Sequence, residues 1–204
     1  MHSGSFDNPE KIQYGIDLIN EQQSDAIMFT GDLVNNTASE MDNWKQYFGQ
    51  LSAKDGVYSV LGNHDYGDYV SWESAAAKRA NLDALKGVHR EMGWDLLLDE
   101  HRKISRGNDS IIIVGVENWG AGFKQVGDLQ RASAGLSENE FKVLLSHDPS
   151  HWQEKVKKDN KKFHLTLSGH THGMQFGIEI PGWFKYCPVR RKPDLSLLPE
   201  MEML

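Results

Sequence analysis

Hydrophobic positions along the chain alternate between helical and extended periodicity. Asn8-Pro9-Glu10 reads as N-cap, N1 and N2 of a helix running towards Gln23, with Ile12, Ile16 and Ile19 on one face. Ala26-Ile27-Met28-Phe29, within the stretch Asp25 to Thr30, is a short apolar run that suits a buried strand. Ser39 to Leu51 is predicted helical with Ser39 as its cap. Val57 to Leu61 is predicted as a strand, and Ser71 to Met92 as a long helix broken near Gly87. Ile111 to Val116 is the clearest strand. Phe141 to Ser146 is another, followed by a helix opening at Pro149, and His164 to Ser168 is a further short strand. There is no internal repeat and no long linker. The alternation predicts an α/β domain with both sheet faces covered.

In such sheets the functional loops gather at the carboxyl ends of strands. Four predicted strand ends carry a side chain able to bind a metal: Asp32 after Thr30, Asn63 with His64 after Leu61, His147 after Ser146, and His170 with His172 after Ser168. Glycines stand beside several of them in Gly31-Asp32, Gly62-Asn63 and Gly169-His170, where a missing Cβ allows sharp turns and close approach. A carboxylate, an amide oxygen and several imidazoles on one rim are a donor set for divalent ions of intermediate hardness. Each piece is bland alone. Gly-Asp after a strand is commonly a turn, Gly-Asn is a common turn signal, and a lone strand-end histidine is more often a packed residue than a ligand. The order and spacing of all four blocks carry the specificity.

The series Gly31-Asp32-Leu33-Val34-Asn35, Gly62-Asn63-His64-Asp65, Ser146-His147 and Gly169-His170-Thr171-His172-Gly173 resembles the calcineurin-like metallophosphoesterase superfamily. Gly169 to Gln175 looks like its bacterial, membrane-associated phosphodiesterase branch. The resemblance covers roughly residues 1 to 185 and implies a four-layer α/β/β/α sandwich, incomplete at its N- and C-terminal strands. Residues 186–204 are expected to form an irregular tail. It implies two divalent ions (Mn, Fe or Zn, with Mn the choice for assays in vitro). Asp32 would bridge them, His2 and His172 would join it on one ion, and Asn63, His147 and His170 on the other. His64 would contact the phosphoryl group and protonate the leaving oxygen, with Asp65 orienting it. The implied reaction is hydrolysis of a phosphodiester or pyrophosphate, rather than a monoester, by a metal-bridging hydroxide. The family's first block is an Asp, one residue and a His. His2 fits the last of these, and the Asp would lie one position before Met1. One ion is therefore expected to bind weakly. The alternative is a catalytically impaired metal-binding fragment, or a module that binds phosphorylated ligands without turnover.

Composition narrows the partners. The net charge is 22 minus 29, or −7, which disfavours nucleic acid as a partner but not a phosphorylated substrate held by cations. The single cysteine, Cys187, excludes an intramolecular disulfide and a multi-cysteine zinc site. No apolar run is long enough to span a bilayer, and Met1 to Asn8 is not a signal peptide. The chain as written is expected to be soluble, while a longer parent protein could carry an anchor. His89, His101, His151 and His164 are assigned to packing or surface roles. Tyr66, Tyr69 and Trp72 form either a core or an apolar wall beside a small-molecule or lipid-like substrate. Phe176, Ile178, Ile180, Trp183 and Phe184 are read as packing, with peripheral membrane contact the minority reading. Asn118 and Trp119 follow the strongest strand and are weak candidates for lining the site. Lys155 to Lys162 is read as a solvated helix end.

Overall fold

A computed structural model describes residues 1–172 and the backbone of two further strands, Ile178–Ile180 and Phe184–Tyr186. The chain separates into two units, Met1–His170 and Thr171–Leu204. In the first, helix α1 spans Pro9–Glu21 as its sequence predicts. The Asn8 side chain accepts from the Lys11 N–H, and Pro9 occupies the first turn, where its missing N–H costs nothing. Strand β1 is Ile27–Phe29, β2 is Val57–Ser59 and β3 is Asp95–Leu96, and they form a parallel sheet in the order β1-β2-β3. Helix α2 spans Lys45–Phe48, and α3 spans Ala75–Glu91.

The second sheet of this unit contains β4 (Glu100–Arg106), β5 (Asp109–Gly115), β6 (Phe141–Leu145) and β7 (Leu165–Leu167), in that order. β4 and β5 are antiparallel, and β5, β6 and β7 are parallel. Helices α4 (Leu129–Ala132) and α5 (Ser150–Glu154) belong to the connections on either side of β6.

Side-chain alternation along the strands divides the interior into three cores. Ile27, Phe29 and Val57 pack with Ile16, Leu85, Val88 and Trp94, so one face of the first sheet lies against α1 and α3. Met28, Tyr58, Val60 and Leu97 point the other way and meet Ile113, Val143, Leu145 and Leu167, so the two sheets pack face to face. Ile112, Val114 and Leu144 face outward onto Leu129, Ala132 and Val156. Helices, sheet, sheet and helices are thus stacked in the α/β/β/α order expected. Each fully buried Val, Ile or Leu in these layers contributes about 1.5–3 kcal/mol relative to exposure.

Several elements depart from the expectation, each for a local reason. Helix α3 begins at Ala75, capped by the Ser74 hydroxyl, and runs through Gly87 without a break. A Cβ at Gly87 would meet nothing, and flanking contacts outweigh the roughly 1 kcal/mol propensity cost of glycine. The stretch expected as one helix over 39–51 is a 3₁₀ turn, Ala38–Met41, followed by α2, and Thr37 supplies the cap in place of Ser39. Strand β4 escapes the sequence pattern because it is a polar edge strand on which only Ile104 reaches the core. Its hairpin partner is set by Gly107-Asn108, a two-residue turn with Gly107 at φ 59°.

In the second unit, β8 (Ile178–Ile180) and β9 (Phe184–Tyr186) pair antiparallel. The side chains of the apolar stretch 176–184 lie outside the described residues, as does the tail expected to be irregular over 186–204 apart from Tyr186, which ends β9. Among the described residues no helix is long and apolar enough to cross a membrane.

The four histidines assigned to packing each have a structural partner. His101 and His164 bond to Ala132 O and Lys142 N, and His151 Nδ1 lies 2.8 Å from Ser146 Oγ. His89 is fully buried, with Nδ1 3.0 Å from Ser59 Oγ and Nε2 facing no partner. Burial lowers its pKa to about 4. The unfolded chain therefore takes up a proton near pH 6.5 that the folded chain refuses until about pH 4. Stability contributed by neutral His89 is complete above pH 6.5 and is lost as pH falls towards 4. The loss is on the order of 3 kcal/mol. Denaturant melts across this range should show that slope, and a His89→Gln protein, though less stable, should show a flatter one.

Candidate metal centre

The loops that follow β1, β2, β6 and β7 converge at the carboxyl edges of the two sheets. They converge because glycine lets two of them touch backbone to backbone. A Cβ on Gly31, which sits at φ 94°, would lie 2.5 Å from Gly62 N and 2.8 Å from His147 Nδ1. A Cβ on Gly62 would lie 2.6 Å from Asp32 N and 2.7 Å from His147 Cε1. No larger residue fits either place without moving backbone or a candidate ligand.

Asp65 latches the same two loops. Its carboxylate is fully buried and accepts backbone N–H groups from Asp32 (2.9 Å), Leu33 (2.8 Å), Val34 (3.2 Å) and Gly62 (2.8 Å). Burial and the negative charge of Asp32 push its pKa up, the N–H groups of Gly62 and Val34 pull it back, and it comes to about 6. The expected pairing of Asp65 with the His64 ring is not what the structure contains. The His64 Nδ1–H points to the Asn35 carbonyl at 2.8 Å, and Asp65 faces away into the loop junction. Four orphan N–H groups in tight loops attract a buried carboxylate more strongly than one partly exposed imidazole does.

Asp32 lies at the centre. One of its carboxylate oxygens accepts the His64 backbone N–H at 3.0 Å. The other, Oδ2, is buried and lies 3.1 Å from His147 Nε2, which donates to it when protonated, and 3.6 Å from His2 Nε2. His147 Nδ1 is held by the Thr30 carbonyl at 2.6 Å, which places the ring proton there in the neutral tautomer. The Nε2 lone pair then faces Asp32 Oδ2 and, at 3.1 Å, Asn63 Oδ1. His170 Nδ1 approaches the same Asn63 oxygen at 2.9 Å. With His147 neutral, its Nε2 lone pair faces the Asp32 and Asn63 oxygens across a buried space, and a positive charge is needed among them. A proton on His147 meets part of that need. Burial opposes its pKa, but the Asp32 carboxylate more than offsets this and raises it. Burial likewise opposes ionisation of Asp32, but the His147 hydrogen bond and charge outweigh it and hold the pKa at about 2. Divalent ions meet the need more fully, because they use all the lone pairs at once.

Among the described residues, two clusters have their ligand atoms within 4.8 Å of one another: His2, Asp32 and His64, and Asp32, His147 and His170. Asp32 belongs to both. The structure brings together His2, Asp32, Asn63, His64, His147 and His170, with His64 in the same cluster as His2. His172 lies in the second unit, and Gly173 to Gln175 lie outside the described residues. Seven non-glycine residues have positive φ among the described residues, and four of them are predicted ligands: His2 (62°), Asp32 (57°), His170 (65°) and His172 (50°). Backbone strain of this kind persists where surrounding structure enforces it, characteristically at functional sites.

The structure adds neighbours that the sequence reading missed or left open. Tyr69 accepts a hydrogen bond from Asn63 Nδ2 at 2.6 Å, which turns the amide oxygen towards the histidines. Asp148 Oδ2 lies 3.7 Å from His170 Nε2, and the adjacent His147-Asp148 pair was the available signal. Glu40 accepts N–H groups from Gly4, Asn35, Asn36 and Thr37, tying the segment after His2 to the loop that holds the His64 ring. Asn118 is buried, donating to the Lys124 carbonyl at 2.7 Å, and so supports a loop.

A converging rim of carboxylate, amide and imidazole side chains on a two-sheet α/β scaffold defines the class of a protein with a candidate divalent-metal site. The chain belongs to the calcineurin-like phosphoesterase family, whose sequence model matches residues 1–174. It is 26% identical over 188 residues to a transmembrane protein with metallophosphoesterase domain from Danio rerio, covering 88% of this chain and 40% of that one. It is 27% identical over 177 residues to an uncharacterized metallophosphoesterase from Aquifex aeolicus, covering 85% and 60%. The solved structure of Thermus thermophilus sulfate thiohydrolase SoxB in complex with glycerol aligns with a TM-score of 0.49 and 16% identity over 79% of this chain and 33% of that one. The chain spans about half the length of the curated relatives it matches.

Two substitutions test the junction. Gly62→Ala should destabilise the fold by about 1–3 kcal/mol and lower metal affinity, read by thermal melts and by calorimetric Mn(II) titration. Asp65→Asn turns an N–H₂ towards backbone N–H donors and should cost about 2–3 kcal/mol. An Asp65→Asn protein as stable as the parent would show that the latch is not needed.

Proposed function

We propose that this chain is a metal-dependent phosphoester hydrolase that uses two divalent ions and acts on a phosphodiester or pyrophosphate. The observation that carries this reading is the buried Asp32 carboxylate, which two clusters of candidate ligands share among the described residues. Membership of the calcineurin-like phosphoesterase family supports it. Asp32 would serve both ions, Asn63, His147 and His170 would hold one, and His2 would join Asp32 at the other. Manganese, iron and zinc all suit this mixture of oxygen and nitrogen donors. Ions bound there would supply Lewis acidity, withdrawing charge from the phosphoryl oxygens and acidifying water.

The chain's own residues supply positioning and a proton. His64 gives its Nδ1–H to the Asn35 carbonyl, so Nε2 is the atom left to face a substrate. A protonated Nε2 could donate to the leaving oxygen, a role worth roughly 10²–10⁴-fold in rate. The Asp65 latch and the Glu40 hydrogen bonds hold the loops that carry Asp32 and the His64 ring. The dry, glycine-lined junction behind Asp32 keeps water from weakening its electrostatic contacts.

The test is hydrolysis of bis-p-nitrophenyl phosphate by the metal-stripped chain titrated with Mn(II), beside a His64→Ala protein. The expected result is metal-dependent turnover that falls at least 100-fold in the variant. A folded, Mn(II)-loaded chain that binds inorganic phosphate without turnover would replace the hydrolase with a phospho-ligand binding module.

A further inference from the structure

Two aromatic side chains stand in the open beside the metal centre, each resting on one of its histidines. Tyr69 is 51% exposed, and its ring lies 4.4 Å from that of His64 at an interplanar angle of 31°. Phe123 is 46% exposed and meets His170 edge to face at 4.5 Å and 76°. Single exposed aromatic residues need no explanation. Two of them on site histidines from separate loops do, because each leaves apolar area in water where burial would be favourable.

Their neighbours show the alternative. Tyr66 is only 4% exposed, with its hydroxyl on Glu117 at 2.7 Å, and Trp72 donates to the Gly67 carbonyl, so these two aromatics are structural. Tyr69 and Phe123 project from loops that are fastened together rather than loose. Lys124, next to Phe123, pairs with Asp68, next to Tyr69, at 3.0 Å and lies 5.0 Å above the Tyr66 ring. Asp68 also pairs with Lys78 at the start of α3. The rings are connected through the site itself: Phe123 to His170, His170 to Asn63 at 2.9 Å, and Asn63 to the Tyr69 hydroxyl at 2.6 Å. A phosphoryl group at the histidines would thus have an aromatic ring on either side of its binding place.

We propose that Tyr69 and Phe123 form a rim that selects phosphodiesters carrying a flat aromatic substituent. This rests on the phosphoester reading above for the place of the phosphate, and it adds the class of organic group attached to it. Flat groups suit the rim better than alkyl chains because ring–ring contact adds to simple burial. The lysines beside the rim are engaged by Asp68, so the rim itself offers apolar surface and not a further anion site.

The test is calorimetric binding of diphenyl, dibutyl and dimethyl phosphate to the Mn(II)-loaded chain, with bis-p-nitrophenyl phosphate hydrolysis measured separately. Diphenyl phosphate is expected to bind at least tenfold more tightly than dimethyl phosphate and severalfold more tightly than dibutyl phosphate. Phe123→Ala and Tyr69→Ala should each cut the preference for diphenyl over dimethyl phosphate roughly 3- to 10-fold. Tyr69→Phe, which keeps the ring and loses only the hydroxyl, should retain it. Equal binding of diphenyl and dibutyl phosphate, no binding of any of the three, or a preference untouched by both alanine variants would overturn the rim. A rim-dependent preference in a chain that hydrolyses nothing would uphold the rim and remove the hydrolase reading.

Discussion

The contact on which the site depends is backbone against backbone, where the turn after β1 meets the turn after β2. Gly31 and Gly62 allow that approach, and the buried Asp65 carboxylate holds it by accepting four N–H groups. These are groups that tight turns would otherwise leave unsatisfied in a dry interior, at a cost of about 1–3 kcal/mol each. The same junction brings Asp32 to the centre, with its backbone in the left-handed region and its Oδ2 facing imidazoles. The candidate ligands are therefore preorganised by a structural carboxylate that touches neither His64's ring nor the open side of the site.

From this junction the architecture follows outward. The sheets pack face to face through alternating residues, which aligns the carboxyl edges of β1 and β2 with those of β6 and β7. Helices cover the outer faces and keep the strands dry enough for their ladders to hold the loops at fixed distances. The outer parts of the site are less buried. Tyr69, Phe123, Lys124 and Asp68 lie on loops whose contacts are made over the surface, where loops can vary without disturbing the ligands.

The histidines divide along the same line. His89, His101, His151 and His164 have partners within the packing layers, and burial lowers the pKa of His89 and His151 to about 4. His2, His64, His147 and His170 instead converge on oxygen ligands. Burial alone does not separate the two groups, since His147 is as buried as His151. What separates them is whether a ring nitrogen lies beside the Asp32 carboxylate or the Asn63 amide oxygen.

Much was legible in the chain because periodicity and strand-end chemistry are local. The capped helix α1, the strands around Met28, Tyr58, Val114 and Leu144, and the positions of Asp32, Asn63, His64, His147 and His170 at strand ends follow from neighbours a few residues away. The polar edge strand β4 and the unbroken α3 did not, because their stability comes from pairing with β5 and from packing, which outweigh local preference. The role of Asp65 was misread for the same reason. Its partners Asp32, Leu33 and Val34 lie more than thirty residues away in sequence, so only the folded chain decided that it serves backbone and not the adjacent imidazole. Phe123 reads in sequence as part of a glycine-rich loop. It gained its place beside the site only when β5 and β7 set their loops against each other, because exposure and neighbourhood belong to tertiary structure and leave no periodic trace in the chain.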